Sequence, residues 1–105
     1  MTLRRADDIT YTLLSNANAT GAAVAIKGGE YMFMAEGTVG GSTISLQVQT
    51  PNGTWQDVQV FTGSIVKFTT LPANQSAIDL PMGNVRCACT GGSPSAIYAY
   101  LAGMG

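Results

Sequence analysis

The chain contains no histidine, only two cysteines, and few charges: five Lys and Arg against six Asp and Glu in 105 residues. Without histidine it lacks the commonest general base and metal ligand at neutral pH. At 10% charged residues it stands far below the roughly 25% of an ordinary domain, so its exposed faces must be built from Thr, Ser, Gln, Asn and Gly. Phosphate recognition leaves a basic stripe as its footprint. Here the formal charge is −1 and no Lys or Arg cluster exists beyond Arg4-Arg5, which argues against a nucleic-acid partner. No window approaches the ~20 apolar residues of a membrane-spanning helix, and no apolar stretch follows the basic start Met1-Thr2-Leu3-Arg4-Arg5. Neither a cleaved signal nor membrane insertion is expected.

What the chain does have is apolar content, 46% of its residues, with little net charge. That combination excludes intrinsic disorder. Length allows one core and no second, and a domain this small often draws stability from disulfides or self-association. Cys87 and Cys89, two residues apart in a strand-like run, share one face with α-carbons about 6.5–7 Å apart by strand rise. That is at or beyond the limit for a bridge. They read as free, buried thiols of a protein assembled in a reducing cytosol.

Turn signals recur at short intervals: Asn16-Ala17-Asn18, Gly28-Gly29, Gly40-Gly41, Pro51-Asn52-Gly53, Gly63, Leu71-Pro72, Pro81-Met82-Gly83 and Gly91-Gly92-Ser93-Pro94. Runs of Val, Ile, Thr, Tyr and Phe lie between them, and no stretch carries a sustained 3.6-residue apolar period. This rhythm predicts an all-β domain of eight or nine short strands, an antiparallel β-sandwich of jelly-roll-like type. The predicted strands are 9–14, 22–26, 30–36, 43–50, 54–61, 65–69, 76–80, 84–90 and 95–101. Parallel pairing would need crossovers of a dozen or more residues, and the chain has none. Residues 1–8 are expected to form an arm and 9–105 a single domain. The clearest hairpin joins Thr43–Thr50 to Thr54–Phe61, with Pro51 presetting one turn angle and Gly53 supplying a positive φ.

Alternation places Tyr31, Phe33 and Ala35 on one side of their strand and Met32 and Met34 on the other. Likewise Ile97, Ala99 and Leu101 suit a core, which leaves Tyr98 and Tyr100 outward, and Val58 and Val60 turn Trp55 and Phe61 out. Met and aromatic residues are enriched in the middle of protein–protein interfaces. Met32, Met34, Tyr98, Tyr100 and Phe61 are therefore candidates for contact between copies of a homo-oligomer, unless a bulge or a central strand buries both faces within one subunit. Chemistry is poorly supplied. Zinc needs four ligands, and Cys87-x-Cys89 has no third Cys and no His. The carboxylates are scattered, the Gly-Gly pairs lack the strand–glycine–helix setting of a phosphate cradle, and neither an enzyme, a metal site nor a cofactor is expected. Trp55 among Asn and Gln side chains suits a glycan contact, or else clamps a sheet edge.

The stretch Gly29-Glu30-Tyr31, Glu36-Gly37-Thr38-Val39-Gly40-Gly41, Pro51-Asn52-Gly53-Thr54-Trp55-Gln56-Asp57-Val58, Leu80-Pro81-Met82-Gly83-Asn84-Val85-Arg86 and Gly91 to Leu101 resembles small virion proteins of tailed bacteriophages. It covers about two-thirds of the chain. The resemblance implies a capsid decoration (cement) protein, often a trimer, that binds the major capsid protein on the outside of the head, on virions assembled in the host cytoplasm. Leu3, Arg4 and Arg5 would then form a capsid-docking arm. A head-fibre, tail or adaptor subunit, and a carbohydrate-binding β-sandwich module, are the alternatives.

Overall fold

The computed structural model describes residues 10–60 and 63–103. Among them it shows nine strands and no helix: β1 (Thr10–Ala17), β2 (Val24–Ile26), β3 (Gly29–Thr38), β4 (Thr43–Gln49), β5 (Trp55–Asp57), β6 (Lys67–Phe68), β7 (Ala73–Leu80), β8 (Gly83–Thr90) and β9 (Ser95–Gly103). All pair antiparallel, in two sheets. One has the order β1-β9-β3-β7; the other runs β2-β8-β4-β5, with β6 also on β4. Apart from β5 and β6, which stay beside β4, consecutive strands alternate between the sheets, so most turns carry the chain across the sandwich. That interleaving is jelly-roll topology, and the expected fold class holds.

The β4–β5 hairpin forms as read. Gln47 lies opposite Asp57 and Gln49 opposite Trp55, and the turn closes with the Gly53 N–H donating to the Thr50 carbonyl at 2.8 Å. The predicted strand 54–61, however, is cut to three residues. The Val58 N–H donates to the Leu46 carbonyl at 2.9 Å, while the Leu46 N–H donates to the Val66 carbonyl at 3.1 Å. One residue of β4 thus bonds to both, and beyond Val58 Gln59 pairs with Ile65 rather than with β4, before β6 resumes the edge. The first strand also differs: it runs past Leu14 to Ala17, because Asn16, which reads as a turn, sits inside the strand at φ 51 as an irregularity. Asn tolerates that region better than most residues.

The inner faces pack one apolar cluster. Tyr31, Phe33, Ala35, Ile78, Ile97, Ala99 and Leu101 face Ile44, Leu46, Val58, Val66, Val85 and Cys87. A register shift between Thr12 and Leu14 lets the neighbours Leu13 and Leu14 both be buried, which a regular strand forbids. Phe33 of one sheet stacks on Phe68 of the other, with ring centroids 5.2 Å apart. At one end of the sandwich two glycine turns pack backbone to backbone. The Ser93 N–H donates to the Gly40 carbonyl at 2.9 Å, and a β-carbon on Gly40 would lie 2.1 Å from the Ser93 carbonyl oxygen. At the other end the Tyr31 hydroxyl donates to the Lys27 carbonyl and the Lys27 N–H donates to the Tyr11 hydroxyl at 3.1 Å, which fastens the β2–β3 crossover to the first sheet.

Two outcomes are expected. Phe33→Ala should cost about 3–5 kcal/mol, since it removes a buried ring that touches both sheets; chemical denaturation measures it. Burial, together with the adjacent Tyr11, pushes the Tyr31 phenol up from 10.0 to about 12. Between these values the unfolded chain loses this proton and the native one keeps it. The contribution of Tyr31 to stability is therefore complete below about pH 10 and is lost as pH rises to about 12. Tyr31→Phe should flatten that part of the stability–pH curve.

Candidate functional site

The register of the first sheet decides what its outer face displays. Strand β9 lies beside β3 with Met34 opposite Tyr100, Met32 opposite Ala102 and Glu36 opposite Tyr98. On the flanks Thr12 of β1 lies opposite Tyr100, and Asn74 of β7 lies opposite Met34. Thr12, Tyr100, Met34 and Asn74 thus form one row across all four strands. Met32, Met34, Tyr98 and Tyr100 are all half-buried on this face, while their sequence neighbours Tyr31, Phe33, Ala35, Ile97, Ala99 and Leu101 are in the core. A depression of 360 Å³ opens beside the row, lined by Met34, Glu36, Pro72, Asn74 and Tyr100. Four of the five candidate contact residues therefore share one surface. Phe61, like Leu3, Arg4 and Arg5, lies outside the described residues.

The outer face of the second sheet has the opposite chemistry. Trp55 stands beside Gln49 in the register, Gln47 lies between Arg86 and Asp57, and the Arg86 side chain crosses β4 to put its guanidinium 4.4 Å from the centre of the Trp55 ring. A chain of hydrogen bonds fixes the rest: Arg86 Nε donates to Gln47 Oε1 at 2.8 Å, Gln47 Nε2 to Asp57 Oδ1 at 2.9 Å, and Asn84 Nδ2 to Gln49 Oε1 at 3.0 Å. The amides gathered round Trp55 are thus bonded to one another and to the two charges, and one face of the ring is taken by Arg86. This arrangement ties β8, β4 and β5 together across their outer surface. It has the geometry of the sheet clamp that is the structural alternative to a glycan contact.

Arg86 and Cys87, adjacent in sequence, point to opposite faces. Cys87 and Cys89 are free thiols on the inner face of β8. Their mutual hydrogen bond and burial hold the Cys87 thiol well above its ordinary range, and the same bond lowers Cys89. Cys87 therefore stays neutral and serves as a small core residue.

Three features of the surface escape a reading of the sequence. The Arg86–Trp55 pair depends on which strand separates β8 from β5, and strand order is not written locally. The same holds for Glu30, which β3–β7 pairing sets directly opposite Asp79. Met82, in the turn between β7 and β8, is 81% exposed; its Pro-Met-Gly setting marks a turn but not its projection from the sandwich. No protein-family model, curated protein or solved structure matches the chain.

Removing the guanidinium should weaken this clamp measurably. Arg86→Ala is expected to cost about 1–2 kcal/mol, the sum of a partly desolvated cation–π contact and a charge-assisted hydrogen bond. Trp55 fluorescence should change in the native state at the same time. An Arg86→Lys chain should recover only part of the loss, because an ammonium cannot both stack and donate sideways.

Proposed function

We propose that the chain is a virion structural protein: a decoration subunit that associates into a homo-oligomer, a trimer as the phage resemblance implies, and stiffens a phage head by bridging neighbouring capsid subunits. The observation that carries this reading is the outer face of the first sheet. Two methionines and two tyrosines stand there in adjacent strands, held in fixed register by ladders on both sides. Met and aromatic side chains are the types concentrated in the centre of interfaces. They offer apolar area with a polar end, and methionine adapts to an irregular partner surface.

Jelly rolls serve viral capsids as well as lectins and cupins. A fold hosts many functions, so the weight of the argument rests on the face and not on the topology. Burial of apolar area at about 25 cal/mol per Å² would give a small domain a second source of stability beside its single core. Linked copies multiply the weak attachment of each one to a repeated shell surface by avidity. In this reading Met32, Met34, Tyr98, Tyr100 and Phe61 join copies, while Leu3, Arg4 and Arg5 meet the capsid. The Trp55 face then serves to hold its own sheet together.

Light scattering on the purified chain should give about three times 10.9 kDa, persisting on dilution. The variant Met34→Ser/Tyr100→Ser should be a monomer that keeps the parent's β-sheet circular dichroism but melts at a lower temperature, because the interface no longer adds to its stability, and it should no longer co-sediment with expanded heads. A parent chain that is monomeric at every concentration and does not bind heads would overturn the proposal.

A further inference from the structure

An edge strand is kept from pairing with another chain by short length, by lysine, or by irregular backbone. In the second sheet the edge strands β2 and β5 have three residues each, and β6 has two, one of them Lys67. In the first sheet β1 is longer, but two register shifts break its ladder and Asn16 stands at φ 51. The chain leading from β1 to β2 also comes so close that a β-carbon on Gly21 would lie 2.7 Å from the Leu13 carbonyl oxygen. β7 differs from all of these. It runs for eight residues, Ala73–Leu80, without lysine, arginine, proline or glycine, and its one charge is Asp79. Among the described residues it pairs with β3 alone.

We propose that β7 pairs antiparallel with β7 of a second copy, about a two-fold axis that crosses the sheet at Ser76 and Ala77. The strand is self-complementary. Its single irregularity lies at its middle: Tyr31 is opposite Ile78 and Phe33 opposite Gln75, which leaves Ser76 and Ala77 against the one residue Met32. In a regular strand Asn74 and Asp79, an odd number of residues apart, would point to opposite faces. The extra residue cancels that difference. Asn74 and Asp79 are both exposed, level with Met34 and Glu30, whereas Ile78 and Leu80 are buried and Ala73 and Gln75 are half-buried, level with Ala35 and Phe33. The order is therefore inward, outward, inward on each side of the bulge, and it reads the same from either end. With Ala73 set opposite Leu80 of the second copy, every inward residue meets an inward one and Asn74 meets Asp79. A register displaced by one residue loses this match. Pro72 and Pro81 flank the strand and come opposite one another in the same register, and neither has an N–H with which to extend the ladder.

The chemistry fits the same register. Within one chain Asp79 lies opposite Glu30, and like charges so placed repel. The pairing sets Asn74 of the second copy on the open side of Asp79, where its amide can donate to the carboxylate, and the axis makes that contact twice. Because Asp79 is the only charge on β7, the new ladder sets no like charges opposite one another. A short ladder with little apolar core does not far exceed the entropy cost of association. The contact therefore fills when copies are held side by side, where their local concentration is high. It uses the edge of the sheet and not the Met–Tyr face, so it goes beyond the proposed function and requires only a second copy.

Thiol trapping between full-length chains tests it. In a Cys89→Ser background, Asn74→Cys chains mixed with Asp79→Cys chains at high concentration should link under a mild oxidant at least about tenfold faster than either variant alone, because only the mixture sets two thiols directly opposite. The product should contain one chain of each kind by mass. Ser76→Lys, which brings two ammonium groups beside the axis, should abolish the advantage and leave the β-sheet circular dichroism unchanged. Chains that also carry Met34→Ser and Tyr100→Ser should keep the advantage, which separates failure at this edge from failure of the proposed face. A mixture no faster than the single variants, an advantage indifferent to Ser76→Lys, or its loss when only the face is changed would overturn the proposal.

Discussion

The space between the two sheets can be filled only from one face of each strand, and β3 is where that constraint acts most strongly. It is an interior strand of its sheet, paired with β9 on one side and β7 on the other. Its inward residues Tyr31, Phe33 and Ala35 are buried. Phe33 reaches the second sheet through Phe68, and Tyr31 holds the crossover at Lys27. Once these three point inward, the period of two sends Met32 and Met34 outward. The antiparallel register then brings Tyr98 and Tyr100 of β9 beside them. The apolar outer face is thus a direct consequence of how the core is filled, and it could be silenced by polar residues at those four positions without touching a single core contact. That the chain carries Met and Tyr there instead is the strongest reason to look for a partner on that side.

Alternation within a strand is a local property, and it was legible. The inward and outward sets on β3 and β9, the Pro51-Asn52-Gly53 hairpin, the paired glycine turns and the inward Cys87 can all be read from neighbouring residues. The jelly-roll class follows from turn spacing and the lack of crossovers. What could not be read depends on residues far apart. The β5 edge stops because Leu46 must serve both Val58 and Val66. β1 continues past Leu14 because Asn16 takes a conformation that in isolation signals a turn. Arg86 finds Trp55 and Glu30 meets Asp79 only through strand order, which in this fold alternates between sheets and is not proximity in sequence. The candidate contact residues on β3 and β9 were accessible from pattern; the Arg86–Trp55 pair and the Glu30–Asp79 pair were not.

The two outer faces divide the surface by chemistry. On the second sheet the longer polar side chains bond among themselves, and a guanidinium covers an aromatic ring. Such a network is satisfied without a partner, so exposure to water costs it little, and displacing any member would leave another unpaired. On the first sheet water serves only the hydroxyls of Tyr98 and Tyr100, and the two methionines and the aromatic rings gain nothing comparable from it. Their remaining exposed area is recovered only by covering it.

A net charge near zero and few charged side chains add a further condition. With little long-range repulsion between copies, association is governed by the short-range fit of whichever apolar surface is offered. A surface that sparse in charge needs some other control over what it meets. The few charges it has are not evenly spread: pairing of β3 with β7 sets Glu30 directly opposite Asp79. A like-charged pair held in fixed register is a short-range, directional feature on a surface whose far field stays weak.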